Sequence, residues 1–207
     1  MVIFDWNGTV VLDADRARGA LNLVLEVRSL ALLSPTEFAQ KFRLPMGHMF
    51  RDLGVHPDGL TDAEAEWNFH MTQSTTHLRG GANAAFLALS TAGAWLGVVS
   101  AASVAAVTFD QESLSVVPVL DEVNAEVADK VAQLSQHRYR RDRAFYVGDT
   151  AYDMQSARAG GYVPVGVSVG YAPESVLREA GAEHIVASLH DVVAVVSAPA
   201  GRTLADS

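Results

Sequence analysis

Short apolar runs alternate along the chain with stretches whose apolar residues recur at helical spacing, a pattern that predicts a parallel sheet with helices on its faces. Met1 to Phe4 is the first apolar run, cut off by the turn residues Asn7 and Gly8. From about Asp13 to His77 the pattern contains no convincing strand. Positions such as Ala20, Leu23, Val24 and Val27 share a helical face, so this stretch reads as an all-helical insert. Ser34-Pro35, Leu44-Pro45 and His56-Pro57-Asp58-Gly59 punctuate it, and Thr61 with Glu64 predicts a capping box before its last helix.

Alternation resumes after Gly80-Gly81. Helices are expected over 82–91, 102–114, 122–137, 151–159, 173–180 and 189–196, and strands over 95–99, 115–120, 144–147, 163–169 and 184–186. The expected fold is therefore α/β, a Rossmann-like parallel sheet flanked by helices with an inserted all-helical domain. Residues 1–12 and 79–197 would form the core domain, 13–78 the insert and 198–207 a frayed tail.

Composition narrows the function. A chain of 207 residues, 49% of them apolar, suffices for one full core and a small accessory module. A formal charge of -9 argues against nucleic acid or an anionic membrane as partner, so a bound phosphate would need a few local donors and a metal. The absence of cysteine excludes disulfides and thiolate metal sites. No stretch reads as a signal peptide or membrane span, which leads to the expectation of a cytoplasmic protein.

In a doubly wound sheet, ligands sit beyond the carboxyl ends of the strands. The polar residues there are Asp5-Trp6-Asn7-Gly8-Thr9 after the first strand, Ser100 after the second, and Gly148-Asp149-Thr150-Ala151-Tyr152-Asp153 after the fourth, with Lys130 on the preceding helix. Taken singly, each has a plain structural reading: a turn, a helix cap, a first-turn acid or a solvated lysine. Taken in order, they resemble the four motifs of the haloacid dehalogenase superfamily: Asp5-x-Asn7-Gly8-Thr9-Val10, Ser100, Lys130, and Gly148-Asp149-Thr150-x-x-Asp153. The insert falls where that family places its first type of cap, and Val169-Gly170-Tyr171 resembles the close of the phosphoglycolate-phosphatase-like branch.

The resemblance implies an Mg²⁺-dependent phosphatase for a small phosphorylated metabolite, working through an aspartyl-phosphate on Asp5. A metal bridging carboxylate and phosphate, with a lysine beside them, relieves the repulsion that opposes such an attack. Asp5, the backbone carbonyl of Asn7, Asp149 and Asp153 would hold Mg²⁺, an oxygen-only set that suits this ion. Asp5, Ser100 and Lys130 would be catalytic. Asn7, Ser100, Ala101 and Lys130 would contact substrate, with Arg43 and His48 reaching from the insert; there Lys41, Arg43, His48 and Arg51 form either a second anion site or a solvated basic face.

One departure matters. Phosphatases of the family carry Asp two residues after the nucleophile, as acid and base, whereas this chain has Asn7, which cannot shuttle a proton. Either the leaving group needs no proton, or Asp13, Asp15 or His48 supplies it, or the protein is catalytically weak or inactive and binds a phosphorylated ligand or partner; an introduced Asp-to-Asn exchange would look the same. Phosphonoacetaldehyde hydrolases, a minor alternative, also lack the second Asp, and their cap segment looks like Pro45-Met46-Gly47. Their Schiff-base lysine, however, would fall on Phe50.

Overall fold

The structure, a computed structural model, describes residues 1–43 and 45–198. Strands β1 (Val2–Phe4), β2 (Leu96–Val99), β3 (Glu122–Asn124), β4 (Phe145–Gly148), β5 (Val163–Val167) and β6 (His184–Val186) form one sheet in the order β3-β2-β1-β4-β5-β6. Every pairing is parallel. The chain builds outward from β1 to β3, then returns to β4 on the other side of β1. The sheet thus has a switch point between β1 and β4, where a crevice opens beyond the strand ends.

Helices α1 (Ala14–Val27), α2 (Pro35–Lys41), α3 (Met46–Asp52) and α4 (Leu60–His70) lie between β1 and the rest of the sheet in sequence. The remainder, α5 (Ala82–Thr91), α6 (Val104–Ser113), α7 (Lys130–His137), α8 (Ala151–Ala159), α9 (Glu174–Glu179) and α10 (Leu189–Ser197), belong to the sheet unit. Alternation along β1 fills two cores. Val2 and Phe4 pack with Phe86 and Leu89 of α5 and Val192 and Val195 of α10. Ile3 faces the opposite side with Tyr146, Leu134 and Ala157. Because both faces are covered, the central strands read as unbroken apolar runs. No described helix is long and apolar enough to cross a membrane.

The insert has its own core, in which Leu21, Leu25, Phe38, Met49, Phe50 and Trp67 cluster. The indole of Trp67 donates to the Ala17 carbonyl at 3.3 Å, so Trp67 packs between insert helices, as does Met71, while Phe69 is exposed. Arg16 of α1 grips Asp110 of α6 with both terminal nitrogens, the second at 2.8 Å, and both side chains are buried.

Three local expectations fail. Residues 115–120 do not form a strand: Pro118 has no N–H, Val117 donates to the Asn83 side chain, and Val116, Val117, Val119 and Leu120 pack against the core as an irregular segment. The edge strand is instead β3, partly exposed and therefore without an apolar signature, and it displaces the helix expected over 122–137, which starts only at Lys130 behind the N-cap Asp129. Thr61 and Glu64 form no capping box, because α4 follows directly from the 3-10 turn Pro57–Gly59 with Gly59 as its N-cap. Ser34 and Glu37 form one at α2. The Leu44 half of the expected break at 44–45, and the tail from 199 onward, lie outside the described residues.

Candidate active site

Register places the first and last motifs side by side. Val2, Ile3 and Phe4 pair with Phe145, Tyr146 and Val147, and the Asp5 N–H donates to the Val147 carbonyl at 2.8 Å. Asp5 and Asp149 therefore both emerge at the carboxyl ends of neighbouring strands. Asp153 stands in the first turn of α8, where Thr150 caps the helix and Asp153 closes a reciprocal capping box. Carboxylate oxygens of Asp5, Asp149 and Asp153 lie within 4.8 Å of one another, and all three residues are buried. Gly8, at φ 71, makes the turn out of β1 possible; any Cβ there would collide with the Asp149 carboxylate.

Lys130, buried at the start of α7, sets its ammonium 3.0 Å from Asp5 and 2.7 Å from Asp153. Two of the three carboxylates are well served by hydrogen bonds. Asp149 accepts from the Thr9 hydroxyl at 2.9 Å and from the Tyr171 N–H at 2.6 Å. Asp153 accepts from Lys130, from the Tyr146 hydroxyl at 3.3 Å and from the N–H and hydroxyl of Thr150. The Asp5 oxygen facing Lys130 has no hydrogen bond of good geometry despite that proximity.

Three buried carboxylates against one buried ammonium leave an excess of negative charge. Burial pushes the Asp5 carboxyl up to about 6, against the pull of Lys130 and with the help of Asp153. Asp149 is driven well above the usual carboxylate range, by burial first and then by the charges of Asp153 and Asp5. Lys130 feels the opposite balance: burial lowers its proton affinity, but Asp153 and Asp5 raise it further, so the ammonium persists. A set of three buried carboxylates around a single ammonium, oxygen donors only, fits a hard divalent cation, which would compensate the excess. Asp153, each of whose oxygens already accepts two hydrogen bonds where each of Asp149's accepts one, fits contact through a water better than a direct bond.

Of the other expected residues, Ser100 joins the strand ends and Ala101 follows it, exposed. Ser100 is buried, and its hydroxyl accepts from the Ala102 N–H at 3.3 Å; Ser103, not Ser100, caps α6. The Asn7 amide donates to the Asp13 carboxylate. Asp13 is fully buried and also accepts from the Gly8 N–H at 2.9 Å and the Tyr171 hydroxyl at 3.3 Å. Arg43 and His48 are not brought to the cluster: both are exposed, Arg43 pairs with Asp52, and among the described residues neither bonds to the carboxylates. Phe50 is buried in the insert core, so that position offers no amine. Trp6 does not line the site; it is buried in the sheet core and donates to Asp110 at 3.0 Å.

Four contributors carry no mark in the sequence. Tyr146 lies within an apolar strand, Asp110 lies on a helix, and Thr9 and Tyr171 are single letters of longer motifs. None carries a spacing that marks it, since each acts through a contact between distant segments.

A buried carboxylate trio with a lysine thus lies at the switch point of a parallel α/β sheet, beyond the strand ends where such sheets bind their ligands. The haloacid dehalogenase-like hydrolase family model matches residues 2–167, and the chain belongs to that family. No curated protein sequence matches it significantly. Among solved structures it is similar to one described as a predicted phosphoglycolate phosphatase from Haemophilus somnus 129pt, with TM-score 0.83 and 16% identity over 95% of this chain and 97% of that one. It is also similar to a predicted phosphatase from Clostridium acetobutylicum, with TM-score 0.82 and 18% identity over 94% and 96% of the two chains. CbbY from Rhodobacter sphaeroides in complex with phosphate gives TM-score 0.78 and 17% identity over 92% and 95%.

Proposed function

We propose that this chain is a phosphatase that uses Mg²⁺ to hydrolyse a small phosphorylated metabolite. The convergence of Asp5, Asp149, Asp153 and Lys130 in one buried cluster carries the reading. Family membership supports it, as do neighbours named as phosphatases and a structure of CbbY with xylulose-1,5-bisphosphate.

Asp5, Asp149, the Asn7 carbonyl and, through water, Asp153 would hold the cation. Its charge would offset the repulsion between the Asp5 carboxylate and the phosphate. The Asp5 carboxylate attacks phosphorus, the bond from phosphorus to the leaving oxygen breaks, and the leaving group departs with its electron pair. Water then attacks the aspartyl-phosphate, returning the carboxylate and releasing inorganic phosphate. Lys130 keeps Asp5 ionised and balances the transferring group. Ser100 and the N–H of Ala101 would donate to its oxygens. The helical insert would serve as a cap that excludes water. In this reading Arg43 and His48 meet substrate only if the cap moves, since both face outward here.

Asn7 favours a second reading, a family member of low or no turnover that binds a phosphorylated ligand. Its amide is spent on Asp13 and has no proton to give. Phosphate release from a metabolite panel, with Mg²⁺ and with chelator, separates the two. Release that requires Mg²⁺ and vanishes in Asp5→Asn supports the phosphatase, whereas no release from either the unaltered chain or Asn7→Asp supports the binder.

A further inference from the structure

Arg79 is 5% exposed, forms no ion pair among the described residues, and spends its guanidinium on backbone carbonyls from two loops. Nε donates to the Thr9 carbonyl at 2.8 Å and a terminal nitrogen to that of Gly8, in the turn that follows the nucleophile. The same group reaches the carbonyls of Ser168 and Val169, each at 3.3 Å, in the loop after β5. A buried cation that bonds no carboxylate directly is costly, so its position asks for a reason. Burial lowers its proton affinity, and the charge of Asp149 offsets this only in part.

The second loop is strained where Arg79 holds it. Val169 has φ 61, a left-handed conformation unfavourable for a β-branched residue, and its side chain is 83% exposed, so no packing of its own fixes that angle. Two residues on, the Tyr171 N–H makes the 2.6 Å bond to Asp149. Gly170 lies so close to the Asp149 carboxylate that a Cβ would collide with it. The Tyr171 ring stacks on Phe42 of the insert at 4.4 Å, and its hydroxyl meets Asp13 at the hinge.

We infer that Arg79 is a positioning residue: by tying the Gly8-Thr9 turn to the Ser168–Tyr171 loop, it holds the Tyr171 N–H and the Thr9 hydroxyl on the two oxygens of Asp149 and so sets the affinity of the site for a divalent cation. This rests on the reading of the carboxylate trio as a cation site. Groups that orient a ligand from behind change metal affinity by roughly 10–100-fold when removed. No proton is transferred, and the guanidinium charge, which acts on Asp149, would by itself disfavour a cation there, so a loss of affinity on its removal reports the geometry of that carboxylate.

The test is Mg²⁺ affinity of the full chain by titration calorimetry, without substrate. Arg79→Gln is expected to weaken binding by about tenfold or more, with Arg79→Lys in between. Val169→Pro approaches the same loop independently: proline cannot adopt a positive φ, the exposed position tolerates the ring, and Arg79 is untouched, so a comparable loss is expected. A folded Arg79→Gln protein with unaltered Mg²⁺ affinity overturns the inference. Should Arg79→Gln not fold, unaltered affinity in Val169→Pro overturns it instead. If the unaltered chain binds no Mg²⁺, or Asp149→Asn binds it equally well, the cation reading falls and this inference with it.

Discussion

Asp5 and Asp149 stand beyond adjacent parallel strands, their carboxylate oxygens within 4.8 Å, although they lie far apart in the sequence. Such proximity of two buried acids is unfavourable unless a cation lies between them. Asp149→Asn should therefore leave the fold intact, raise the melting temperature of the metal-free protein, and abolish the further rise that Mg²⁺ produces. A thermal shift series with Mg²⁺ and with chelator measures both changes.

The same charges set a pH dependence. The pKa values of Asp5, at about 6, and of Asp149 and Asp13 are raised above their unfolded values, chiefly by burial. Their contribution to stability is full below the ordinary carboxylate range and is lost as pH rises through the folded values. Metal-free protein should lose stability from roughly pH 4 up through pH 6, and the stabilisation by Mg²⁺ should grow over that interval, because the cation competes with the proton. A Mg²⁺ effect that shrinks with rising pH would contradict this account.

Asn7→Asp tests the missing proton. The new carboxyl would face the buried Asp13, and two acids so placed share a proton near neutrality, as a general acid requires. Turnover of alkyl phosphates is expected to rise by roughly 10²–10⁴-fold, and turnover of p-nitrophenyl phosphate much less, since its leaving group departs without protonation. Equal gains on both substrates would place the acid elsewhere.

Much of this site is legible in the sequence because its chemistry sits at strand ends, and strand ends are marked by the switch from apolar runs to polar turns. Asp5, Ser100 and Asp149 stand at such ends, whereas Lys130 and Asp153, on helices, are singled out by the resemblance to the family motifs. Helices α5 and α8 and strand β6 take the boundaries the pattern predicts, since burial on defined faces imposes it. The edge is where the pattern fails: Glu122–Asn124 gains its strand conformation from pairing with β2, which leaves no apolar mark, while the apolar run over 115–120 serves packing instead. Arg79 and Asp110 are illegible for another reason. A buried charge looks like a surface charge until its partners are known.

Asp110 supplies a stability test. It receives both Arg16 of the insert and the indole of Trp6, next to Asp5. Asp110→Leu would leave the Arg16 guanidinium buried without its paired carboxylate, with the Ser74 carbonyl at 3.4 Å as its remaining acceptor, and should cost about 3–5 kcal/mol. The double variant Arg16→Met with Asp110→Leu should recover much of that loss, as chemical denaturation would show.

The most direct measurement concerns Asp5 itself. Full-length protein mixed with acetyl phosphate and Mg²⁺ is quenched in acid, and its intact mass and peptides are recorded. The account predicts one added phosphoryl group on the peptide carrying Asp5, absent with chelator and absent in Asp5→Asn. Phosphate release without that adduct on any timescale, or an adduct that survives Asp5→Asn, would contradict it.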